Sequence, residues 1–215
     1  MAEGPKAASH LPTRRQILKH FAERDPKIVP LIRAIGPFLL KRNRNYFVVL
    51  CRSIVSQQIS TKAADTIYDR FRQLAAGRQP TPQRVIGLDD AAMRTAGLSR
   101  QKTAYLKDLS RHFIEKSIRP HQLNYLDNED VIARLTAVHG IGRWTAEMFL
   151  IFSLNRLDIL PVDDLGLQVA VQNIYGLKNR PDAKRLRTLG KKWHPYETIV
   201  TWYGWRSLNA DIVNY

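Results

Sequence analysis

The chain has 215 residues, 44% hydrophobic and 25% charged, a globular composition at a length that suits one domain or two small lobes sharing a core. Its 34 Lys/Arg against 19 Asp/Glu give a net charge of +15, which points to a polyanionic partner, most economically nucleic acid. The single cysteine, Cys51, excludes an internal disulfide, a Cys-based zinc site and a four-thiolate iron–sulfur cluster. No apolar run is long enough for a bilayer, and the N-terminus lacks the apolar stretch of a secretory signal. A cytoplasmic protein, nucleoid-associated if bacterial, with no membrane partner is therefore expected.

The charge is localised. Residues 1–45 hold ten Lys/Arg against three acids, and residues 178–192 hold seven against Asp182. These two segments carry 13 of the 15 net charges, as a phosphate-tracking surface would.

Apolar residues recur at helical spacing almost throughout, and no strand pattern is strong, so the fold class expected is all-α. Residues 14–23 predict a short helix, and residues 28–40 another, interrupted near Gly36-Pro37. Residues 45–57 place Phe47, Leu50, Cys51, Ile54 and Val55 on one face, which makes Cys51 a core residue. Ser60, Thr81 (before Pro82), Asp89, Ser99 and Asn128 are read as N-caps of the helices that follow, and Gly97 ends the helix begun at Asp89. After a turn at His139–Gly142 a helix covers Arg143–Leu154. Asp163 and Asp164 stand where a cap belongs before LGLQVAVQNIYG, and helices over about 182–192 and 196–210 complete the chain.

Two segments carry chemistry. In Val138-His139-Gly140-Ile141-Gly142 two glycines flank one aliphatic residue in a tight turn between helices. The helix that starts at Arg143 offers its first N–H groups as an anion site fitting a DNA phosphate, although a plain helix–helix connection has the same pattern. Twenty-two residues after Gly142 comes Asp164. A helix cap needs only one of the paired aspartates. The other is then available as a carboxylate held ionised by the helix dipole and backbone N–H groups, as a developing sugar cation requires.

Taken in order, five stretches resemble the helix-hairpin-helix DNA glycosylase superfamily, and within it the 3-methyladenine DNA glycosylase II (alkylpurine glycosylase) branch. They are Ser56-Gln57-Gln58-Ile59-Ser60 with Lys62-Ala63-Ala64; Gly97-Leu98-Ser99 with Lys102; His139-Gly140-Ile141-Gly142-Arg143-Trp144-Thr145-Ala146; Leu160-Pro161-Val162-Asp163-Asp164-Leu165-Gly166; and Trp193-His194-Pro195. The match runs from about Phe47 to the end, and residues 1–45 match less clearly. The resemblance implies a two-lobed all-α fold with the active-site cleft between the lobes. One lobe covers 46–150 and includes the hairpin at about 135–146; the other combines 1–45 with 151–215.

The resemblance also implies roles. Family enzymes flip a damaged nucleotide from duplex DNA and hydrolyse its N-glycosidic bond. The essential carboxylate falls on Asp164, and Asp163 keeps the cap or structural role. Bifunctional relatives carry a Schiff-base lysine where Trp144 stands, and an indole forms no imine, so the implied enzyme is monofunctional and its nucleophile is water. Trp144 and Trp205 fall on the pocket aromatics that would stack on cationic 3-methyladenine or 7-methylguanine. Trp202 and Tyr203 compete for that place, Trp202 being better read as core. Met148 replaces a pocket tyrosine of some relatives, and Glu197-Thr198 replaces an Arg-Ser pair. Gln58, with Ile59 beside it, falls on the wedge that fills the gap left by the flipped base, against the plainer reading of Gln57 and Gln58 as helix-end caps. His139, Gly140, Ile141, Gly142, Arg143 and Thr145 form the implied phosphate-binding hairpin. The carbonyls of Thr136, Val138 and Ile141 would hold a monovalent Na+ or K+, with no catalytic metal and no organic cofactor. The expected partner is damaged double-stranded DNA, bound by a monomer. The alternatives left open are a non-catalytic relative that binds distorted DNA, and a glycosylase for hypoxanthine, ethenoadenine or uracil.

Overall fold

A computed structural model describes residues 11–208, and the expectations for residues 1–10 and 209–215 lie outside the described residues. The described residues form twelve α-helices and one 3-10 turn (26–28), joined by short loops. They fall into two compact units, residues 43–149 and residues 11–42 with 150–208, each built around its own apolar core.

The first unit contains α3 (Tyr46–Ser56), α4 (Thr61–Leu74), α5 (Pro82–Ile86), α6 (Asp90–Thr95), α7 (Arg100–Ile114) and α8 (Asn128–Thr136). It also holds the start of α9 (Arg143–Leu154), which continues into the second unit past Phe149. The stripe read from the sequence is buried: Phe47, Leu50, Cys51, Ile54 and Val55 all face inward on α3. Burial pushes the Cys51 thiol well above its ordinary range, so it packs as a small hydrophobe and not as a nucleophile. Side-chain caps from Ser60, Thr81, Asp89 and Ser99 start α4 to α7. The cap of α8 corrects the sequence reading. Asp127, not Asn128, accepts the N–H of Asp130, because its carboxylate meets the helix dipole one residue earlier.

The second unit contains α1 (Arg14–Arg24), α2 (Val29–Ile35), the end of α9, α10 (Leu165–Tyr175), α11 (Ala183–Gly190) and α12 (Glu197–Leu208). Thr13 and Gln16 form a reciprocal capping box at α1. The helix expected to run on to residue 40 ends at Ile35, with Gly36 at φ 95°. Ile17, Phe21, Ile32, Leu167, Trp193 and Tyr203 are buried in this unit's core. Buried Asp25 ties that core together by accepting from the Tyr175 hydroxyl and from Trp193 Nε1 at 3.1 Å. Trp202 packs edge-on against Phe38, as its core reading requires.

Candidate active site

Asp164 is the N-cap of α10. Its carboxylate Oδ1 accepts the Leu167 N–H at 2.7 Å and the Trp205 indole N–H at 2.8 Å, and the residue is 8% exposed. The assignment of capping to Asp163 is therefore corrected: Asp163 is exposed, while Asp164 both caps the helix and presents the buried carboxylate. The sequence offered two adjacent aspartates at one helix start, and only the backbone register distinguishes them. Val162 and Pro161 are buried beneath the loop, and the Pro161 carbonyl accepts the Asp164 N–H, which turns the chain into the helix. Gly166 is required here: a Cβ would come within 2.9 Å of the Trp205 ring and 3.2 Å of Asp164 Oδ1.

Trp205 lies on α12, is 8% exposed and stacks on Phe152 with ring centroids 5.9 Å apart. Its bond to Asp164 spans 41 positions and has no signal in the sequence. The carboxylate thus sits at a helix N-terminus with two N–H donors on one oxygen.

The hairpin lies in the first unit. α8 ends at Thr136, the Ile141 N–H returns to the Val138 carbonyl at 3.1 Å, and α9 begins at Arg143. Ile141 is buried as the anchor of the turn. Gly140 has φ 85°, and a Cβ there would strike the Tyr105 ring, so both backbone and space demand glycine. Asp108 fixes the entrance of the turn by accepting from the His139 N–H at 2.9 Å and facing its Nδ1 at 2.8 Å. Burial pushes the Asp108 carboxyl up, but the His139 bonds outweigh burial and leave it below its ordinary value. No sequence pattern marks this pair, whose members lie 31 positions apart.

The half-exposed Arg143 guanidinium pairs with Glu129 at 2.9 Å and with Glu147 at 3.1 Å. Thr145 is buried, because α9 is exposed only at its first two residues. Met148, expected in the base pocket, is 2% exposed and lies among the core residues of α9. Trp144, in the first turn of α9, is 41% exposed and does present its ring.

Gln58 and Ile59 are exposed between α3 and α4, and Gln58 adopts φ 57°. They line a cavity of about 680 Å3 together with Thr136, Val138, His139 and Ile141. The carbonyl donors expected for a monovalent cation therefore belong to residues on one surface recess.

A family model for HhH-GPD superfamily base excision DNA repair proteins matches residues 51–195. The chain is 33% identical over 193 residues to the Schizosaccharomyces pombe DNA-3-methyladenine glycosylase 1, covering 87% of this chain and 85% of that protein. A DNA-3-methyladenine glycosidase structure from Bacillus halodurans superposes with a TM-score of 0.83 at 38% identity, covering 90% of this chain and 89% of that one. The S. pombe 3-methyladenine DNA glycosylase Mag1, in complex with abasic DNA, superposes with a TM-score of 0.77 at 32% identity over 89% of this chain and 96% of that one. With the hairpin, the capped aspartate and these similarities in agreement, the chain belongs to the HhH-GPD superfamily of base excision DNA repair proteins.

Proposed function

We propose that the chain is a monofunctional DNA glycosylase that releases alkylated purines, such as 3-methyladenine and 7-methylguanine, from duplex DNA. The observation that carries this reading is the Asp164 carboxylate, held on Oδ1 by the Leu167 and Trp205 N–H groups in a chain similar to enzymes named for 3-methyladenine release. As the C1′–N bond lengthens, the sugar becomes an oxocarbenium-like cation, and a fixed carboxylate stabilises that charge without reorganising. An alkylated purine is itself cationic and departs as a neutral base, so its release needs no general acid. Water then adds to C1′ and gives up its proton, leaving an abasic site.

Trp144 stands where bifunctional relatives place a lysine, and its exposed ring can stack on a base but cannot form an imine. The reading therefore includes no lyase step. A Na+ or K+ held by the carbonyls of Thr136, Val138 and Ile141, on the recess they share, belongs to the same reading. So does binding as a monomer.

The test is base release from a panel of single-lesion duplexes, with Asp164→Asn alongside. Asparagine is as good an N-cap as aspartate, so this variant keeps the start of α10 and removes only the charge. Base release is expected to fall by at least about 100-fold, the scale for lost transition-state charge stabilisation, with DNA affinity unchanged or tighter. Product strands should stay intact until alkali is added. Near-wild-type release by the variant removes Asp164 from its role, and borohydride trapping of a protein–DNA adduct overturns the monofunctional reading.

A further inference from the structure

One face of α7 holds two separate loops. Lys102, Tyr105 and Asp108 recur every third residue, a spacing that aligns side chains along one side of a helix. Asp108 and Tyr105 hold the hairpin at His139 and Gly140, as described above. Lys102 reaches the other loop: its ammonium donates to the carbonyls of Val55 at 2.7 Å and Gln57 at 2.8 Å, where α3 ends. A helix end leaves carbonyls without partners, and a cation there both satisfies them and meets the negative end of the dipole.

The bond to the Gln57 carbonyl fixes the peptide plane that leads into Gln58, which stands at φ 57°. That left-handed conformation is strained for a non-glycine residue and persists only where neighbours impose it. Gln57 closes the circuit, its side-chain amide donating to the Gly140 carbonyl at 2.7 Å. The wedge loop and the hairpin are thus tied to α7 and to each other, through a lysine that the sequence reading quoted but gave no role.

We infer that Lys102 and Gln57 are positioning residues that clamp the Gln58 loop to the hairpin, so that gripping the DNA backbone and filling the gap left by a flipped base occur as one rigid action. The inference rests on the glycosylase reading and on Gln58 as the wedge. A wedge matters most where flipping is costly. A lesion paired with cytosine must lose its partner, whereas one opposite an abasic site has none to lose.

The experiment measures single-turnover release of 7-methylguanine from two duplexes, one with cytosine and one with an abasic site opposite, for the wild type, Lys102→Met, Lys102→Arg and Gln57→Leu. Lys102→Met and Gln57→Leu should lose about tenfold on the paired lesion and less than about threefold on the unpaired one, tenfold being a modest fraction of the unstacking cost. Lys102→Arg, which keeps a cation for the two carbonyls, should recover most of the paired-lesion rate. Equal losses on both duplexes, as a general structural defect would give, or no loss on either, overturns the clamp. If the wild type releases base from neither duplex, the glycosylase reading fails and the clamp is judged separately. Fluorescence of 2-aminopurine at the lesion position reports unstacking without bond cleavage, and an equal rise with wild type and Lys102→Met rejects the clamp.

Discussion

At the scale of single residues, Trp205 changes meaning most between sequence and structure. The family resemblance offered it as an aromatic face for a cationic base, whereas in the structure its indole N–H donates to Asp164 Oδ1 and its ring lies on Phe152. The two roles separate in Trp205→Phe, which keeps an aromatic face and removes the donor. A hydrogen bond to a charged group contributes roughly 1.5–3 kcal/mol, and 1.4 kcal/mol is a factor of ten in rate. Trp205→Phe is therefore expected to slow single-turnover base release about tenfold while leaving DNA affinity within about twofold. A wild-type rate would mean that the ring alone matters and that the bond to Asp164 does not position the carboxylate.

At the scale of elements, the starts of α10 and α12 make opposite use of an acidic residue. α10 begins on a carboxylate satisfied by the helix, whereas α12 begins on Glu197, buried, with Oε1 3.0 Å from His194 Nδ1 and Oε2 without a hydrogen-bond partner. Burial pushes the Glu197 carboxyl above its ordinary value, and the bond from His194 only partly opposes this. In the pH window between its unfolded and folded values the native chain holds the extra proton, so stability falls as pH rises through that window and stays lower above it. Glu197→Gln should remove this component. The difference in melting temperature between variant and wild type should grow in the variant's favour from about pH 4 to pH 7, where carboxylates titrate. A difference that is flat with pH would show that Glu197 ionises at the same pH folded and unfolded.

Helix starts were legible in the sequence because caps are local: Ser60, Thr81, Asp89 and Ser99 each bond an N–H three residues on. Adjacent cap-competent residues defeated that logic twice, at Asp127-Asn128 and at Asp163-Asp164, since one residue of register decides which side chain reaches the backbone. The motif singled out Asp164, whose carboxylate the structure places at the start of α10. Its indole donor, the Asp108 brace and the Arg143–Glu129 pair were not legible, because each joins residues from 14 to 41 positions apart.

At the scale of the whole molecule, most of the charge sits in two segments, and one of them contains α11. Lys184, Arg185, Arg187, Lys191 and Lys192 are mostly exposed, and Asp182, their one acidic neighbour in the segment, is occupied in capping the helix. Buried ion pairs are not what this charge serves. Each Lys or Arg that neutralises a DNA phosphate releases condensed counterions, which contributes about −0.9 to the slope of log K against log salt concentration. Neutralising Lys191 and Lys192 together, as Lys191→Gln with Lys192→Gln, should flatten that slope by about one to two units if both track phosphates. The loss of affinity should be nearly the same for undamaged and lesion-containing duplexes, because phosphate contacts carry no sequence or lesion information. On the proposed reading, in which the Trp144 ring stacks on the flipped base and not on the backbone, Trp144→Ala should give the opposite signature, a loss confined to the lesion duplex and insensitive to salt. Titrations at three salt concentrations with both duplexes distinguish the two effects. An unchanged slope for the double lysine variant would place the 178–192 segment away from DNA and leave the positive charge of residues 11–45 to account for the attraction.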